Sequence, residues 1–82
     1  MKITTETVSV YDIDDHGYCV KTDKHGKRID AFKPLVMIPV HNDVRTLKEV
    51  FTLPEGEPVV GKRLYISGLY VWWLTTPVVS VE

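Results

Sequence analysis

The residue types that could do chemistry are few and scattered: three histidines, His16, His25 and His41, and a single cysteine, Cys19. His16 and His25 each precede a glycine in a turn-like stretch, and His41 follows Val40. No pair of them has the spacing that sets two imidazoles on one face for a zinc ion. Cys19, between Tyr18 and Val20, fits a semi-buried small hydrophobe better than a reactive thiol, which needs an electropositive setting. Asp12, Asp14, Gly17 and Asp23 fall at positions one, three, six and twelve of a calcium loop. His16 replaces the fifth-position oxygen, the twelfth residue is the shorter Asp, and the flanks are strand-like, so an acidic hairpin turn is the better reading. No serine sits in a nucleophile elbow, and Gly56 and Gly61 are isolated and cradle no phosphate. The expectation is a protein that is not an enzyme and carries no metal and no cofactor.

If chemistry is absent, binding must carry the function, and two groups of residues could do it. The stretch Leu64 to Leu74 holds both tryptophans and two of the four tyrosines. From Leu69 on, strand alternation sends Leu69, Val71 and Trp73 to one face and Tyr70, Trp72 and Leu74 to the other, so both faces are apolar or aromatic. One face can go to the core. The other, with Tyr65, Tyr70, Trp72 and Leu74, is expected to meet a partner protein or a second copy of the chain, because Trp and Tyr are enriched in binding hot spots, the alternative being cover by the Val44, Leu47 and Phe51 side of a helix. The second group is basic: Lys21, Lys24, Lys27, Arg28 and Lys33 are half of the ten Lys and Arg residues. Beside exposed tyrosines they could track the phosphates of single-stranded nucleic acid, although Asp23 and Asp30 interrupt them and the net charge is −1.

The elements that must position these groups read as strands. With 82 residues, 44% of them hydrophobic and 26% charged, the chain is expected to be one globular domain over residues 1–82, near the lower size limit for a core without staples. A lone cysteine excludes an internal disulfide and fits a reducing cytoplasm. The first residues, Met1 to Glu6, lack an apolar h-region, and no apolar run is long enough to span a membrane. Thr4 to Ile13 reads as one strand with a bulge near Val10-Tyr11. Asp14-Asp15-His16-Gly17 and Asp23-Lys24-His25-Gly26 share turn chemistry at three of four positions and mark consecutive hairpins. Leu35 to Val40 is flanked by Pro34 and interrupted by Pro39, so it reads as an edge strand or as a run broken at both points.

Residues 43–51 are the one helix candidate, capped by Asn42 or Asp43, with Val44, Leu47, Val50 and Phe51 on its apolar face. The breaker-rich Leu53 to Pro58 limits it to two or three turns. Ser67-Gly68 reads as a bend inside one long strand in preference to a tight hairpin turn. The sum is a mainly β, α+β chain: a small curved antiparallel sheet or partly open barrel of about five to seven short strands with one short helix.

In size, lone cysteine and lack of catalytic motifs the chain resembles, in type only, the short accessory proteins of phages and mobile elements, many of which bind and block a host protein. That resemblance implies an inhibitor-like module. The expected function is therefore non-catalytic protein interaction through the aromatic face. The alternatives are a nucleic-acid-binding barrel using the basic hairpin and an oligomeric sponge for a small ligand.

Overall fold

Two turns of matching composition shape the first half of the chain. In each, an aspartate side chain accepts two backbone N–H groups: Asp14 Oδ1 from His16 and Tyr18 at 2.9 and 3.0 Å, and Asp23 Oδ1 from His25 and Lys27 at 2.8 and 2.9 Å. Gly17 and Gly26 close them at φ of 79° and 77°, a left-handed conformation that costs a glycine nothing. The strands on either side follow: β1 (Lys2–Thr5), β2 (Val10–Ile13), β3 (Cys19–Thr22) and β4 (Arg28–Phe32). After these come β5 (Val36–Val40), a single helical turn α1 (Leu47–Val50), β6 (Arg63–Ser67), β7 (Trp72–Leu74) and β8 (Val78–Val81). The computed structural model describes all residues from Met1 to Glu82.

The eight strands make two antiparallel sheets, a five-stranded one ordered β4-β3-β2-β1-β8 and a three-stranded one ordered β5-β6-β7, which do not close into a barrel. Period-two alternation decides which side chains lie between them. Ile3, Tyr11, Cys19, Phe32 and Val78 of the larger sheet meet Leu64 and Ile66 of β6, with Met37, Val71 and Trp73 packed around them. The opposite face of the smaller sheet carries Ile38, Val40 and Tyr65, and it is covered by Val50 together with Val44, Leu47 and Leu53. The result is three layers: sheet, sheet, helical segment. Consecutive residues Leu64, Tyr65 and Ile66 are all buried, so β6 is the strand with core on both faces.

Three local expectations change. Residues 4–13 are two strands joined by a turn at Glu6 to Ser9, and Val8 takes φ 63° there, a conformation a β-branched residue rarely adopts. The helix lies within residues 43–51 but is one turn long. Its cap is Thr46, whose Oγ1 accepts from the Glu49 N–H at 3.2 Å and donates to Glu49 Oε1 at 3.1 Å, so the hydroxyl satisfies one free N–H of the turn. Asn42 instead donates from Nδ2 to the Gly61 carbonyl at 3.1 Å. Finally, Ser67-Gly68 does not bend a continuous strand: Ser67 pairs with Trp72, and residues 68–71 form a hairpin loop closed by the Gly68 N–H to the Val71 carbonyl at 2.8 Å.

Candidate functional site

The 68–71 loop is held against the end of β4 by contact as well as by its own hydrogen bond. A Cβ on Gly68 would lie 3.1 Å from the Lys33 carbonyl oxygen and 3.1 Å from Phe32 Cδ2, so any larger residue would push the loop or its neighbours apart by a few tenths of an ångström. The chain leaving β4 is tied to the same place, with the Leu35 N–H donating to the Ser67 carbonyl at 2.7 Å. These two constraints lift Leu69 and Tyr70 out of the surface beside the β4 edge. Between them lies an open groove of about 760 Å³, walled by Tyr18, Phe32, Leu35, Leu69, Tyr70 and Val71, with Asp30 and Lys33 as its charged members. It is the mouth of the sandwich, where the two sheets separate. Tyr70 is 95% exposed and Leu69 73%, while Tyr18 and Leu35 are exposed as well, an unusual concentration of apolar surface for one small patch.

The four aromatic-face residues are split by the structure. Tyr70 stands on the loop tip. Trp72 is half-exposed and stacks on Tyr65 with ring centroids 6.1 Å apart, and Phe51 meets the same Tyr65 ring edge-on at 5.4 Å. Tyr65 itself is buried and Leu74 half-buried, both in the cluster beneath the helical turn. Tyr65 and Leu74 thus sit under the chain's own cover, which comes from Val44, Leu47, Val50 and Leu53. Leu69 and Leu35, absent from that set, are on the groove. Their signal in the sequence was only the glycine before Leu69 and the proline before Leu35.

The basic residues divide too. Lys24, Lys27, Arg28 and Lys33 are exposed on the β3–β4 hairpin and its exit. Lys21 points inward: it is 9% exposed, and its Nζ lies 3.2 Å from the Trp73 ring centroid and 5.3 Å from that of Tyr11. Burial holds its pKa below the usual lysine value, opposed by the Asp30 charge. Cys19 is fully buried, and burial, with Asp12 and Asp30 adding to it, pushes its thiol up to about 11, far from the thiolate a nucleophile needs. The three histidines are exposed, and two of them ride on the aspartate turns.

Comparison with protein-family models, with characterised proteins and with solved structures finds no significant match. The functional reading therefore rests on this geometry. No helix is long and apolar enough to cross a membrane.

Proposed function

We propose that this chain is a non-catalytic protein-interaction module whose contact surface is the groove at the mouth of the sandwich, centred on Tyr70. The observation that carries the reading is the groove itself: apolar walls beside a hydrogen-bonded loop that holds Tyr70 almost fully, and Leu69 largely, in water. A short, tied loop has little backbone entropy to lose on docking, and a tyrosine orders only two side-chain torsions, which suits a hot-spot residue. A cytoplasmic setting goes with this reading, since the one thiol is buried and unpaired.

The reading favours a protein over nucleic acid because Lys21 is committed to the core and the remaining basic residues adjoin an apolar groove. It favours a protein over a small ligand because the groove is open along the sheet edge, whereas small-molecule sites enclose most of their ligand. The test is a photo-crosslinking residue at position 70, with exposed Lys48 as the control position, followed by reconstitution with the free, purified partner identified from the adduct. A specific protein adduct at 70, lost with competing native chain, is expected; equal labelling from both positions would contradict the proposal.

A further inference from the structure

Of the four sheet edges, β4 is the one left open over five residues. Along β8, the Val78 N–H and carbonyl are taken by Lys62 and Gly61, along β5 the Met37 carbonyl is taken by Gly56, and β7 has only three residues. No loop or turn backbone bond reaches Arg28 to Phe32 from the outer side. The Ala31 N–H faces that side, and its partner is the carboxylate next to it in sequence: it donates to Asp30 Oδ1 at 2.8 Å. Such a local bond blunts an edge and is exchangeable for a partner carbonyl. The groove lies directly alongside, with Asp30, Ala31 and Phe32 among its walls. Charge adds a further property: residues 27–33 contain Lys27, Arg28 and Lys33 against the single acid Asp30.

Resting on the interaction reading above, we infer that the partner contributes an extended, acidic segment that adds to β4 as a sixth strand, its alternate apolar side chains entering the groove between Tyr18, Leu35, Leu69 and Tyr70. Backbone bonds to the β4 edge supply register, the groove accepts every second side chain, and Lys27, Arg28 and Lys33 meet the carboxylates between them. A second copy of the chain is a poor occupant. Full antiparallel overlap of β4 with itself sets Asp30 against Asp30 and Lys27 against Lys33, and like charges directly opposite destabilise a ladder.

The experiment selects random linear peptides, displayed on a library, against the native chain. It then measures the enriched peptides against Ala31→Pro, Tyr70→Ser and the double variant Arg28→Glu with Lys33→Glu. Proline at an outward-facing edge position removes the N–H without touching the ladder to β3, so Ala31→Pro is expected to fold. Enriched peptides should be acidic with apolar residues at alternate positions, should slow hydrogen exchange at the Ala31 amide, and should lose about tenfold or more in affinity to Ala31→Pro and to the charge-reversed variant. Peptides without an acidic excess, no enrichment at all, or an Ala31 amide that stays unprotected on binding would overturn the inference, the last even if Ala31→Pro fails to fold. Peptides indifferent to Ala31→Pro but lost with Tyr70→Ser would overturn strand addition while leaving the groove reading intact. Indifference to Tyr70→Ser as well would remove both.

Discussion

At the scale of single residues, three side chains sit in settings that their types do not advertise. Thr75 is buried and extends the β6–β7 ladder by one rung, its Oγ1 accepting the Leu64 N–H at 2.9 Å while its own N–H donates to the Leu64 carbonyl at 2.9 Å. Thr75→Val keeps the shape and strands that N–H, so chemical denaturation should show a loss of about 1–3 kcal/mol. Val8 holds φ 63° on the surface, where its side chain is half in water and contributes little packing. Val8→Gly should therefore raise stability, by about 1 kcal/mol, in the same assay. Lys21 places an ammonium against the Trp73 ring with no carboxylate within salt-bridge reach, and burial lowers its pKa. A lysine pKa depressed by folding means that the unfolded chain holds the proton more tightly, so stability rises with pH through the window between the folded value and the ordinary lysine value. Lys21→Met should abolish that alkaline rise, measured as the thermal midpoint against pH, without unfolding the chain.

At the scale of elements, the turns were legible where their chemistry is explicit and hidden where it is not. Asp14-Gly17 and Asp23-Gly26 could be read directly, because a carboxylate that accepts two N–H groups and a glycine at positive φ are local requirements that residue type satisfies. The Glu6–Ser9 turn could not, since Val8 has strand propensity and takes its φ from the pairing of β1 with β2. The helix shows the same limit: Asn42, Asp43 and Thr46 are all good caps, and the choice of Thr46 follows from the tertiary tie of Arg63 to the His41 and Val44 carbonyls, which keeps that segment non-helical. The aspartate turns also carry a pH prediction. Backbone N–H bonds, from Tyr18 above all to Asp14 and from Lys27 above all to Asp23, hold both carboxyls below their ordinary values. That contribution is present above the unfolded carboxylate pKa of about 4 and drains away as pH falls through the depressed folded values. The acid-side fall in thermal midpoint should be shallower in Asp14→Ala with Asp23→Ala than in the native chain.

For the whole molecule, the question raised by Leu64 to Leu74 was what covers its second apolar face. The chain answers for β6: the larger sheet takes Leu64 and Ile66, and the helical segment takes Tyr65. The mainly β architecture was visible in the alternation and turn spacing, but the split into two sheets was not, because it depends on β8 pairing with β1 and β5 with β6 across long sequence separations. The same split puts the most exposed apolar side chains, Leu69 and Tyr70, on the loop tip, where the glycine before Leu69 is the one local mark. With both faces of β6 covered internally, self-association is not needed to satisfy it, and light scattering should give the mass of a monomer.

On the proposed function, Tyr70 and its groove bind a protein while contributing little to the fold. Calorimetric titration of the free partner, identified from the cross-linked adduct, with native chain and with Leu69→Ser plus Tyr70→Ser is read alongside thermal unfolding of both chains. The expected result is a loss of about thirtyfold or more in affinity, the scale of a hot spot, with the thermal midpoint nearly unchanged. Unchanged affinity, or a variant that loses binding only because it unfolds, would contradict it.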